Sequence, residues 1–224
     1  MRVLALCVLG LSLGGCSARS NQESGSKTTS KAISGYTYGS HKLPKAPISL
    51  EELSLLEKTV LLTDEDKKYL KISKGILKDQ IDDILDVWYG FVGSNEHLVY
   101  YFGYKKGSKP NSEYLDRVRK RFGQWILDTA EANYDQQWLD YQFEIGRRHH
   151  RVSKNKTDNS KSVDIIHYRY LPTLIAPVTI TLKPFLAKKG HSASDIEKMH
   201  TAWVKSVILQ ITLWSYPYVK TGDF

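Results

Sequence analysis

Residues 138–150, WLDYQFEIGRRHH, combine a helical apolar period with a histidine at its end. Asp135 stands where an N-cap is expected. Arg147 and Arg148 fall in the last turn, where cations suit the negative end of the macrodipole. Trp138, Tyr141, Gln142, Ile145 and His149 recur at steps of three and four and so share one face. The pattern then breaks into the polar stretch 153–162. A histidine closing an apolar stripe is what an axial haem ligand requires, because the imidazole must reach iron while the turns before it wall the porphyrin. Two alternatives stay open on spacing alone. A histidine near a helix C-terminus also suits a dipole-stabilised surface site. Leu139, Phe143, Gly146 and His150 form a second stripe of the same period, so either histidine can face inward.

The rest of the chain carries the same helical punctuation. Ser49-Leu50-Glu51-Glu52 is a capping box that predicts an amphipathic helix to about Leu62. Thr63-Asp64-Glu65-Asp66 opens a second helical region. It runs through Ile72, Ile76, Ile81, Ile84, Leu85 and Trp88, is expected as two helices, and ends at Gly90 and Gly93-Ser94. His97 to Phe102 is short and aromatic, and 103–112 reads as a loop. Ser112-Glu113 starts a helix with the inner stripe Leu115, Val118, Phe122, Trp125 and Thr129. Residues 163–188 are apolar and hold Pro172, Pro177 and Pro184, which predicts one long kinked helix. Ser192 caps a last helix to about Tyr216. It is apolar on more than one face, which implies core on one side and a partner on the other. No alternating run stands out as a strand, so the expected fold is all-α.

The N-terminus differs in kind. Arg2, the apolar run 3–13 and Leu13-Gly14-Gly15-Cys16 read as a lipoprotein signal peptide, residues 1–16, with Cys16 as the lipidated residue. The run is too short to span a bilayer as a helix. Residues 17–35, rich in Ser, Lys, Thr and Asn, are expected as a flexible tether, and 36–224 as the folded domain. This predicts an extracytoplasmic protein, lipid-anchored on the periplasmic side of a bacterial membrane. Cys7 and Cys16 are the only cysteines. A disulfide framework, a Cys-type zinc site and C-x-x-C-H haem attachment are thereby excluded for the body, and any haem is non-covalent. The net charge of +8 is scattered among acids rather than clustered, which argues against a nucleic-acid partner.

Several longer motifs point one way. YGFVGS at 89–94, RKRF at 119–122, WILDT at 125–129, WLDYQ at 138–142, EIG-x-RHH at 144–150, KPFLA at 183–187 and LWSYPYVK-x-GDF at the C-terminus resemble the protoglobins. The resemblance runs from about Gly35 to Phe224. It implies a globin-like fold with an additional N-terminal helix and haem b sandwiched between helices. It also implies His149, the first His of the RHH run, as the proximal iron ligand, with Ile145 one turn back against the ring. Trp88, Tyr89 and Phe122 match the family's distal aromatic residues, and Leu115 and Val118 are expected on the same wall. Tyr89 is then the donor to a bound diatomic gas. Arg121, with Arg119 beside it, is a propionate candidate, solvated surface being the equal alternative. The other nitrogen of His149 is expected on Glu144 or a backbone carbonyl. The segment 36–47 corresponds to a family extension over the haem. Pairing through the last two helices into a homodimer is implied too.

The expected function is therefore binding of oxygen, carbon monoxide or nitric oxide at a pentacoordinate haem iron, as binder, sensor or scavenger outside the cytoplasm. A sensor would need a separate signalling partner. The alternative is haem redox chemistry on nitric oxide, nitrite or peroxide, which needs a redox partner, since no flavin or nicotinamide fingerprint is visible. Away from cytosolic reductases a ferric resting state is expected.

Overall fold

Caps decide where the first helices begin. In a computed structural model describing residues 32–105 and 109–224, α1 (Leu50–Thr59) starts at Ser49. The Ser49 hydroxyl accepts the Glu52 N–H at 3.2 Å, and the Glu52 carboxylate accepts the Ser49 N–H at 2.8 Å. Thr63 and Asp66 repeat this box at the start of α2 (Asp64–Leu77). Helix α1 stops short of the expected Leu62. Leu61 turns into the left-handed region at φ 57°, and the Leu62 N–H reaches back to the Glu57 carbonyl at 2.9 Å. Together with the Leu61 N–H bonded to Lys58, this is a Schellman stop that lets Leu62 fold back into the core.

A 3₁₀ turn at Lys78–Gln80 separates α2 from α3 (Ile81–Gly93), giving the two helices expected. Helix α4 (Glu96–Val99) and a 3₁₀ turn, Tyr100–Phe102, make up the short aromatic segment. Helix α5 (Ser112–Glu131) is capped by Asn111, whose side chain accepts the Tyr114 N–H at 3.1 Å. Helix α6 (Gln136–His149) begins at Asp135 as expected.

The apolar run 163–188 departs from the expectation of one helix. It stays irregular to Arg169, forms the single turn α7 (Tyr170–Thr173), breaks at Leu174, and resumes as α8 (Ile175–Leu186). Pro177 has no N–H for the Thr173 carbonyl, and its ring crowds that carbonyl, which favours the break just before it. Pro184 lies inside α8. Helix α9 (Ala193–Trp214), capped by Ser192, is followed by a 3₁₀ turn, Tyr216–Tyr218.

Helices α2, α6 and α8 pack on α9, α5 packs on α2, and α3 bridges α5 and α8. Among the described residues there is no strand; isolated bridges pair Gly103 with Pro110 and Tyr104 with Ser162. The all-α expectation holds. Two glycines set helix spacing. A Cβ on Gly123 would lie 2.8 Å from Ile81 Cγ2, and one on Gly146 would lie 2.7 Å from Trp214 Cα. The core around α9 is wired by side-chain bonds: Gln210 accepts the Trp125 indole N–H at 2.6 Å and donates to Thr129 and Ser206. The segment 36–38 docks on α6, with Tyr36 and Tyr38 edge-on to Tyr141. The expected signal segment 1–16, its Cys16, and all of the tether up to residue 31 lie outside the described residues. No helix among the described residues is long and apolar enough to cross a membrane.

Candidate functional site

Between α3, α5, α6, α8 and α9 the helices leave a gap. A largely apolar cavity of about 230 Å³ opens there. Trp88 and Tyr89 of α3, Val118, Arg121 and Phe122 of α5, and Ile145 and His149 of α6 all reach it. Leu115 does not. The arc of α5 that faces the cavity is Tyr114, Val118, Arg121, Phe122 and Trp125, and Leu115 falls past its edge by helical rotation. The inner stripe read from sequence began one residue late.

The two histidines separate cleanly. The His149 ring lines the cavity, stacked on Trp214 at 5.0 Å between centroids and 17° between planes. Its Nδ1 lies 2.9 Å from the Ile145 carbonyl. A carbonyl only accepts, so Nδ1 carries the proton and Nε2 keeps its lone pair. Burial pushes the imidazole below its ordinary pKa, and the charges of Lys154 and Arg148 add to this, so the ring is neutral at pH 7. His150 instead ends the helix in extended backbone and turns its ring edge-on to Tyr218, outside the cavity wall. Between the expected partners of the second ring nitrogen, the structure selects the carbonyl: Glu144 is taken by Arg148 at 2.9 Å and Arg147 at 3.3 Å.

The aromatic wall is held by ring contacts. Trp88 meets Phe122 at 5.7 Å, and Phe122 meets Trp125 at 5.4 Å. Tyr89 stands against Phe102 and Phe122. Its phenol is pushed up by burial and stays protonated, and so remains a hydrogen-bond donor.

The remaining wall is polar. Arg121 grips Asp158 through two bonds of 2.9 and 2.6 Å and also donates to the Ser34 carbonyl. Arg148 donates to Glu144, the Gly35 carbonyl and the Thr37 hydroxyl. Arg119 lies outside the cavity lining, paired with Asp86 at 2.9 Å and set over the Tyr89 ring. Lys154, 3 % exposed, lines the cavity and donates to the carbonyls of Tyr101 and Val163.

Sequence reasoning missed Trp214, Tyr114, Arg148 and Lys154. Trp214 was within reach, since one more step along Trp203, Val207 and Gln210 lands on it. Lys154 had no signal: it sits in a stretch whose composition reads as solvated loop.

The solved globin domain of the Geobacter sulfurreducens globin-coupled sensor superposes with a TM-score of 0.58, covering 75 % of this chain and 97 % of that domain at 14 % identity. Such a likeness shows the fold, which is globin-like. No curated protein matches by sequence. The sequence model of the family described as Protoglobin matches residues 49–224. The chain belongs to the protoglobin family. Protoglobins are haem globins, and the cavity of this protoglobin fits that group. Among the described residues no cluster of three or more His, Cys, Asp or Glu can hold an ion unaided. One neutral imidazole in an apolar wall, its Nε2 without a hydrogen bond among the described residues, suits instead a metal that would arrive already held in a porphyrin.

Proposed function

We propose that this protoglobin holds a non-covalent haem b in the cavity, with His149 Nε2 as proximal ligand, and binds a diatomic gas. Oxygen, carbon monoxide and nitric oxide are the candidates. Haem, when bound here, would supply an iron able to take up a small gas molecule. The chain supplies the rest. The Ile145 carbonyl holds the Nδ1 proton, which fixes the tautomer and aims Nε2 into the cavity. The stacked Trp214 indole sets the plane of the ring. Trp88, Phe122 and Val118 keep water from the wall they form, and the protonated Tyr89 hydroxyl is the donor offered to a bound gas.

The observation that carries this reading is the His149 ring, fixed through Nδ1 and lining the cavity, with no hydrogen bond to Nε2 among the described residues. The test is an absorption spectrum of the chain reconstituted with haemin. We expect a Soret band in the parent chain and in His150→Ala, and its loss or a marked shift in His149→Ala. The reverse pattern moves the ligand to His150; a colourless parent chain ends the haem reading.

We further propose that Cys16 carries a lipid that tethers the domain outside the cytoplasm, an inference supported by the apolar run 3–13 and Leu13-Gly14-Gly15-Cys16. Cys16→Ser is then expected to shift the protein from the membrane to the soluble fraction. Pairing through α8 and α9 is supported by Ile180, 64 % exposed, and Ile208, 37 % exposed, on helices whose other faces are core. A sedimentation mass of one chain would overturn it.

A further inference from the structure

The Lys154 side chain is a buried cation whose charge the described residues do not answer. No described carboxylate forms an ion pair with it. The acid that acts on it most, Asp164, is held by Lys105 at 2.6 Å and Asn155 at 3.1 Å. Two of its three N–H donors go to the carbonyls of Tyr101 at 3.1 Å and Val163 at 2.7 Å, and the ammonium sits 5.0 Å from the centroid of the Tyr114 ring. Carbonyl dipoles and a ring face soften the burial of a full charge without neutralising it. Burial lowers its pKa to about 8, as expected of an ammonium short of counter-charge.

The other cations of the cavity wall are in a different condition. Arg121 is locked to Asp158, a side chain that is itself only 2 % exposed. All three nitrogens of the Arg148 guanidinium are engaged by Glu144, Gly35 and Thr37. Reassigning either would strand a buried partner. Of the three, Lys154 is the one without a carboxylate partner among the described residues, and it lines the cavity with one N–H donor not given to a carbonyl.

Resting on the haem reading above, we propose that Lys154, rather than Arg121, is the residue that binds a carboxylate of the cavity's ligand, a propionate of the porphyrin. The bound carboxylate supplies the missing counter-ion, and the two fixed carbonyls hold the ammonium in place to receive it.

The experiment compares haemin with haemin dimethyl ester, which has the same ring and iron and no carboxylate. The full chain, produced haem-free, is loaded with each. Loss to an excess of a haem-scavenging apoprotein is followed at the Soret band. The parent chain is expected to lose the ester about 10- to 100-fold faster than haemin, the range for one charge-assisted hydrogen bond. In Lys154→Met the two rates converge, because haemin is lost about as fast as the ester. Lys154→Arg keeps most of the difference. If Lys154→Met fails to fold, Lys154→Gln, which retains a donor for Val163, is read in its place. A parent chain that releases haemin and ester at equal rates overturns the proposal without any variant. So does a Lys154 variant that preserves the full difference while Arg121→Gln abolishes it. A parent chain that takes up neither porphyrin shows no Soret band at all. That outcome is the failure of the haem reading, and the carboxylate site falls with it.

Discussion

Trp125 stands between two aromatic regions that look alike in composition and behave differently. On one side is Trp203, with ring centroids 6.3 Å apart, fully enclosed, its indole N–H bonded to Ser73 at 2.9 Å. On the other is Phe122, at 5.4 Å, followed by Trp88, both lining the cavity. The first region is filled space. The second is a lining with one bare side. The lesson is that aromatic content does not make a binding site; what makes one is a place where helices are prevented from closing.

That contrast can be broken by mutation. The largest effect is expected from Trp203→Ala, a loss of about 3–5 kcal/mol measured by denaturant unfolding. Phe122→Ala should lose roughly half of that or less, since the ring already lacks neighbours on its cavity side. Equal losses would mean that the cavity is not a real gap in the haem-free protein. Next comes a pair of glycines. Gly146→Ala forces a methyl against the Trp214 backbone and should destabilise by about 1–3 kcal/mol. Gly90→Ala, with nothing within 4 Å of the added carbon, should stabilise α3 by up to about 1 kcal/mol. A third test keeps the lining and removes one atom. Tyr89→Phe should leave the unfolding midpoint nearly unchanged and speed gas dissociation roughly 2- to 10-fold, the value of one ordinary hydrogen bond.

A separate test is one of pH. Lys154 has a pKa of about 8 when folded, against the ordinary 10.5 when unfolded. Between those values the unfolded chain binds the extra proton, so stability rises with pH across that window. The haem-free parent chain should therefore gain stability relative to Lys154→Met as pH rises from 8 towards 10.5. A difference that stays flat there would mean that Lys154 is solvated.

Much of this was legible before any coordinates. Ser49, Thr63, Asp135 and Ser192 each cap the helix expected of them, because capping is a local bond between near neighbours in sequence. The stripe of α6 was legible for the same reason. What was not legible depends on partners far along the chain. Spacing could not choose between His149 and His150, since the choice turns on where α9 places Trp214 and where Tyr218 comes to rest. The helix expected over 163–188 is instead irregular to Arg169 and interrupted at Leu174. Arg121 suggested a propionate partner by its position beside Phe122. Its guanidinium lines the cavity and also grips Asp158, a residue 37 positions away in a segment without period.

Trp214 ends α9, presses its backbone on Gly146 and lays its indole along the His149 ring. Helix and imidazole are thereby geared together. The outer face of α9 is thus one stacked indole away from the imidazole, and the absence of a side chain at one position, Gly146, is what lets the two helices mesh that closely.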